Sequence, residues 1–318
     1  GGGGVDGGVV GVGVRYPGGR VRALSDAAGL PDPDAPRALR DAEGVSASAQ
    51  VHPRRRGSGE RHGAADAVSG PGYLSSVRLR RELPEGSWLR RLGPVQYLME
   101  KNVLELDRPV TFLVGENGTG KSTLLEGIAV ACGFNPEGGT RNFSFSTRAT
   151  HSILGEYLTP ARKRYPKDGF FLRAESFYNV ATNIDELDEA PSFAPRLIDS
   201  YGGVSLHCQS HGESFLALVQ NRFGGKGLYL LDEPEAALSP SRLLTLMGEM
   251  DLLVKEDSQF IVATHSPILM AFPKARIYEL SENGIRPVEY RETEHYQLTK
   301  RFLDDPERML RYLLEEEI

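Results

Sequence analysis

The stretch "VTFLVGENGTGKSTLLEGIAVACGF", Val110 to Phe134, decides the fold. Val110 to Val114 is apolar and β-branched enough for a buried strand, and Ser122 to Ala131 reads as a helix with no breaker beyond Gly127. Between them the run Gly115, Glu116, Asn117, Gly118, Thr119, Gly120, Lys121, Ser122 fits the phosphate-loop pattern, with the strand before and the helix after that the pattern requires. Glycines let backbone N–H groups converge on phosphate oxygens, and the helix N-terminus, which includes Thr123, adds a positive dipole end. Lys121 is placed to reach the β- and γ-phosphates and the Ser122 hydroxyl to ligate magnesium. A merely structural glycine-rich turn is the weaker reading.

Two more strands end in polar residues. In "GLYLLDEPEAALSP", Leu228 to Leu231 forms a short apolar strand running into Asp232 and Glu233. A pair of acids at the end of a buried strand is awkward to place unless magnesium is there: Asp232 would hold the ion, and Glu233 would orient and deprotonate the attacking water. In "QFIVATHSP", Phe260 to Ala263 is another buried strand, and His265 follows its C-terminal end, where open α/β sheets bind ligands. Alone, a strand running into Asp-Glu is common and a single His is usually structural. Together, three strand ends offer Lys121, Asp232 with Glu233, and His265 to one crevice. A fourth stretch, "QSHGESFLAL", starts a helix on Ser210, His211, Gly212 and Glu213, where Ser suits the cap and Glu the first turn.

In this order the four stretches resemble the nucleotide-binding domain of the ATP-binding-cassette (ABC) superfamily, closer to its chromosome-maintenance, DNA-repair and recombination branch than to transporter subunits. They are also similar to bacterial ATPases grouped as AAA family. The resemblance runs from about Tyr73 to the C-terminus and implies an α/β P-loop NTPase: a mainly parallel sheet flanked by helices, with an inserted helical signature lobe at about residues 135–203. It implies ATP and Mg2+ as cofactors, ATP hydrolysis with Glu233, His265 and Lys121 in catalytic roles, and a head-to-tail homodimer formed on ATP. In that dimer Ser210, Gly212 and Glu213 bind the γ-phosphate held by the other protomer. A DNA or protein partner is expected, of unspecified identity. The sequence departs from the family at His211 and Gln209, which replace a signature glycine and leucine, and at Ser239, where an acid is usual. The linker glutamine has no counterpart, Glu175 and Ser176 being nearest, and Tyr97 or Tyr73 is the candidate to stack on adenine. The lobe is too short for coiled-coil arms and lacks heptads. A non-hydrolytic ATP-gated module and a small-molecule phosphotransferase are the rivals; the guanine motif of a GTP switch is missing.

Composition bounds the rest. The chain has 318 residues, 37 Lys and Arg against 43 Asp and Glu, and a formal charge of −6, so bulk charge exerts no pull toward nucleic acid or anionic membrane. Its two cysteines, Cys132 and Cys208, are too few for a disulfide framework, and no apolar run approaches the roughly 20 residues of a spanning helix. A cytoplasmic setting is expected. Residues 1–72 hold about half of the glycines and no lysine, and read as a disordered leader ahead of a folded domain at 73–318. The basic run Ala161 to Lys167 reads as a solvated loop, and His207, Cys208 and His211 lack the fourth ligand of a metal site. The C-terminal residues predict two helices capped by Thr293 and Asp305, with Pro306 at the first position of the second and an amphipathic face for packing.

Overall fold

The computed structural model of the protein describes residues 72–141, 153–173, 177–189 and 196–314. The expected leader, apart from Gly72, lies outside these residues, as do Glu175 and Ser176. A six-stranded sheet carries the domain in the order β5 (Asp168–Arg173), β6 (Gly227–Asp232), β7 (Gln259–Ala263), β3 (Val110–Val114), β8 (Arg276–Ser281), β9 (Gly284–Val288). All neighbours are parallel except the β8–β9 hairpin. A second, antiparallel sheet has the order β2 (Leu104–Glu105), β1 (Leu74–Leu79), β4 (Leu158–Arg162).

Strands β3, β6 and β7 are buried at every position, as expected for a parallel sheet covered on both faces. Because side chains alternate along a strand, each supplies both cores. Tyr229 and Leu231 of β6 join Phe112, Phe170 and Val262 on one face, beneath α3 (Phe177–Glu189), α4 (His211–Arg222), α5 (Pro240–Lys255) and the short α6 (Pro267–Met270). Leu228 and Leu230 join Leu113, Phe171 and Ile261 on the other, beneath α1 (Gly93–Lys101), α2 (Lys121–Ala131) and the small sheet. Cys132 closes α2 in this second core, where burial pushes its thiol up to about 11.

The interval 135–203 is divided rather than being one inserted lobe. Its β4 belongs to the small sheet, and β5, the "GFFLR" run, forms the edge of the main sheet because Phe170, Phe171 and Leu172 feed both cores. Among its described residues a short 3-10 turn at Ile153–Tyr157 precedes β4, and the first α-helix is α3, from Phe177. In the basic run, Arg164 pairs with Asp257 and lies 4.5 Å over the Tyr73 ring, so that part is a structural clamp.

One buried polar side chain joins the two sheets. Gln259, with no exposed surface, accepts from the Tyr73 and Leu74 N–H groups at 2.7 and 2.8 Å and donates to the carbonyls of Leu74, Leu106 and Arg108 at 3.0, 2.6 and 3.2 Å. Leucine fills the same space but leaves these backbone groups without partners, each at a cost of about 1–3 kcal/mol when buried. Gln259→Leu is therefore expected to lower unfolding stability by about 3 kcal/mol or more, read as a lower urea midpoint. A midpoint unchanged from wild type would show that the two sheets are not held together here.

The expected C-terminal helices are α7 (Glu294–Asp304) and α8 (Pro306–Leu314), and their caps are as expected: Thr293 Oγ1 accepts from Tyr296 N at 3.4 Å and Asp305 Oδ1 from Arg308 N at 3.0 Å. Their packing is not. Neither helix buries a residue, and Leu303 and Leu314 are 71% and 70% exposed: among the described residues no layer covers the apolar stripe. Among the described residues no helix is long and apolar enough to cross a membrane.

Candidate active site

Parallel strands carry their C-terminal ends to the same edge of a sheet, and β6, β7 and β3 are adjacent. That adjacency brings the phosphate loop, Asp232 with Glu233, and His265 together. The loop turns on glycines for steric reasons. Gly115 has φ +141°, and a Cβ there would meet the Leu280 carbonyl oxygen at 2.2 Å, while Gly120, the N-cap of α2 at φ +91°, lies against Leu92. Lys121 is buried and donates to the carbonyls of Gly115 at 2.9 Å and Glu116 at 3.0 Å. Thr119 Oγ1 donates to the Glu116 carbonyl at 2.8 Å. Burial lowers the Lys121 pKa, opposed by the surrounding carboxylates of Glu233, Asp232, Glu235 and Glu116.

Asp232 is 3% exposed, and its strand register places it opposite Arg173 of β5. Arg173 Nε lies 3.6 Å from Asp232 Oδ2, and its Nη1 donates to Glu126 Oε2 of α2 at 2.8 Å, so one cation ties the acid to the helix that follows the loop. Glu233 takes a left-handed backbone, φ 48° and ψ 54°, at a cost of roughly 1–2 kcal/mol for a non-glycine residue. Such strain concentrates at functional sites, where the surrounding structure holds it. Here the Glu233 N–H donates to the Ala263 carbonyl at 2.9 Å, which extends the β6–β7 ladder past the strand.

Beyond β7, Thr264 Oγ1 and the His265 N–H both donate to Glu235 Oε1, and the Thr264 N–H donates to the Leu113 carbonyl at 3.1 Å. Burial raises the Glu235 pKa. These bonds set the turn that presents His265, whose Nε2 lies 3.2 Å from Glu233 Oε1 and whose Nδ1 lies 3.1 Å from His295 Nε2. Burial, the Lys121 charge and His295 hold the His265 pKa below the ordinary histidine value against the pull of Glu233.

The signature stretch stands apart from this cluster. Ser210 N and Oγ donate to Glu213 Oε2 at 3.1 and 2.6 Å, and Arg242 of α5 donates to Glu213 Oε1 at 3.1 Å and to Ser210 Oγ at 3.4 Å. These bonds to Ser210 lower the Glu213 pKa. A Cβ on Gly212 would meet Arg242 Nη1 at 2.4 Å and the Ala237 carbonyl at 2.9 Å, so the glycine is already required by packing within the chain. Ser239, which replaces the usual acid, stands at the N-cap position of α5 without a side-chain cap bond, its Oγ 3.2 Å from Ser241 Oγ.

Of the two adenine candidates, Tyr73 is ruled out by position. Its hydroxyl donates to the Asp257 carbonyl at 2.8 Å, at the N-terminal end of β7 and therefore the opposite edge of the sheet from His265. Tyr97 is half-buried on α1, beside Gly284 of the β8–β9 hairpin. His207 Nε2 lies 3.1 Å from Thr182 Oγ1. Arg173, Glu126, Glu235 and His295 escaped the sequence reading. Only Arg173 left a signal: like Asp232, it is a charged residue at the end of an apolar run.

The sequence matches two family models, one described as "AAA domain" over residues 95–165 and one as "AAA domain, putative AbiEii toxin, Type IV TA system" over residues 214–271. It is 26% identical over 186 residues to the cobalt import ATP-binding protein CbiO of Salmonella typhimurium, an alignment covering 55% of this chain and 65% of that protein. The chain thus spans less than two thirds of the length of the curated relatives it matches. Among solved structures, the SMC head domain from Thermotoga maritima is 17% identical with TM-score 0.36, covering 69% of this chain and all of that one. The cbiO1 structure from Clostridium perfringens is 13% identical with TM-score 0.38, covering 77% and 100%. The phosphate loop, the acid pair and the histidine stand in the ABC order, and the chain is similar to ABC-type ATP-binding proteins.

Proposed function

We propose that this domain binds ATP in the Gly115–Thr123 loop, hydrolyses it with magnesium, and dimerises head-to-tail on the bound nucleotide. One observation carries the reading: Lys121, Asp232, Glu233 and His265 meet at the ends of three adjacent parallel strands. Lys121, already aimed into the loop, exchanges carbonyl oxygens for β- and γ-phosphate oxygens, and the loop N–H groups and the start of α2 hold the rest of the phosphate chain. A hydroxyl at Ser122 and a buried carboxylate at Asp232 are hard oxygen donors that suit magnesium shared with phosphates. When bound there, magnesium neutralises charge developing on the β- and γ-phosphate oxygens. The Arg173 guanidinium stands beside Asp232 and offsets its negative charge. Glu233 takes a proton from water as its oxygen attacks the γ-phosphorus; the bond to the ADP oxygen breaks, and His265 donates a hydrogen bond to a γ-phosphate oxygen.

In the dimer, the N-terminus of α4 with Ser210, His211, Gly212 and Glu213 faces the γ-phosphate of the other protomer, and His211 adds an imidazole to that contact. The domain then acts as an ATP clamp in the cytoplasm, with DNA or a protein as effector. Phosphate release from ATP, measured with and without magnesium, DNA, RNA and lysate fractions, tests this. Magnesium-dependent release that one fraction stimulates is the expected result. ATP that is bound but not cleaved under every condition would make the chain a non-hydrolytic module, and transfer to an added acceptor without phosphate release a phosphotransferase.

A further inference from the structure

His295 comes from outside the four motifs, 30 residues beyond His265, yet its imidazole meets that of His265 with Nε2 3.1 Å from Nδ1. Its position is anchored. Thr293, with no exposed surface, donates to the Tyr290 carbonyl at 2.8 Å, and the Glu294 N–H donates to Glu279 Oε1 of β8 at 3.5 Å, so the first turn of α7 is tied to the main sheet. On the other side His265 Nε2 lies 3.2 Å from Glu233 Oε1. The pair falls short of hydrogen-bond geometry, but a carboxylate repels a lone pair, so the proton is favoured on the nitrogen that faces it; in a neutral imidazole the other nitrogen then has a lone pair and needs a donor. His295 Nε2, 3.1 Å away, supplies that donor when it carries its ring's proton. Burial and the nearby Lys121 charge favour the neutral His265 ring.

We infer that His295 is a positioning residue that fixes His265 as its Nε2–H tautomer and holds the ring toward Glu233. This rests on the catalytic reading of Glu233 and His265 given above, and it adds a requirement for the C-terminal helix pair. The Glu233 carboxylate and a γ-phosphate oxygen are both acceptors, so one tautomer serves His265 before and after nucleotide arrives. The opposite tautomer would turn a lone pair toward each of them.

The test uses the full chain in two variants. His295→Leu keeps bulk and removes the donor; His295→Gln keeps an N–H at similar reach. Imidazole 15N spectra, assigned with His265→Asn, should show wild-type His265 as one Nε2–H tautomer, His295→Leu as a mixture of both, and His295→Gln as the wild-type form. Turnover should fall roughly ten- to a hundredfold in His295→Leu at unchanged KM for ATP, the range for groups that orient a ligand through one hydrogen bond, with most of it retained in His295→Gln. A His265 tautomer indifferent to His295→Leu, or an equal loss in both variants, would overturn the inference. Wild-type turnover in Glu233→Gln would instead refute the catalytic reading, and the spectra would still decide the role of His295.

Discussion

Glu233→Gln is expected to lower ATP turnover by about 10²–10⁴-fold, the usual contribution of a positioned general base, while leaving nucleotide affinity in place. The amide matches the carboxylate in shape, so the left-handed turn after β6 and its bond to the Ala263 carbonyl remain. What is lost is the group that receives the proton from water. ATP should then bind and persist, and an ATP-dependent dimer should accumulate, visible by light scattering after size exclusion with nucleotide measured on the same fractions. Adding His211→Glu tests the partner contact. His211 is exposed and is the first residue of α4, so a carboxylate there repels a γ-phosphate without entering the crowded space of Gly212. The double variant should return to monomer with nucleotide still bound. A Glu233→Gln protein that stays monomeric at saturating magnesium-ATP would end the head-to-tail reading and leave the signature stretch as a helix cap.

Lys121→Ala is expected to abolish stabilisation by nucleotide. Ligand at a hundredfold excess over Kd stabilises a fold by about 2.7 kcal/mol, which for a domain of this size raises Tm by roughly 5–10 °C. Without Lys121 the phosphate chain loses the only basic side chain of the loop. Magnesium-ATP should therefore leave the Tm of the variant in place, and a rise equal to wild type in a thermal scan would move the nucleotide site elsewhere. The variant without nucleotide should melt slightly lower, because the Gly115 carbonyl loses the Lys121 donor, while the Glu116 carbonyl keeps Thr119.

The parts of the site that were legible before folding share a local cause. Val110–Val114 with Lys121, Leu228–Leu231 with Asp232, and Phe260–Ala263 with His265 each join an apolar strand to the polar residue at its end, within about ten residues of chain. Tyr73 was misread because an aromatic residue near a strand carries no mark of which edge of the sheet it will reach. The apolar faces of the C-terminal helices are legible, but amphipathicity reports an apolar face and not the surface that covers it.

The sequence alone therefore determined the phosphate loop, the order of acid pair and histidine, the likeness to ABC-type proteins and the caps of α4, α7 and α8, because loop sterics, strand burial and capping all act between residues near in the chain. Tertiary structure decided the rest. It put β5 at the sheet edge so that Arg173 faces Asp232, locked Gly212 beneath Arg242, tied the two sheets through Gln259, and brought His295 to His265. Each of these joins side chains from elements far apart in sequence, and only the packing of layers that buries the two cores brings them within hydrogen-bond reach.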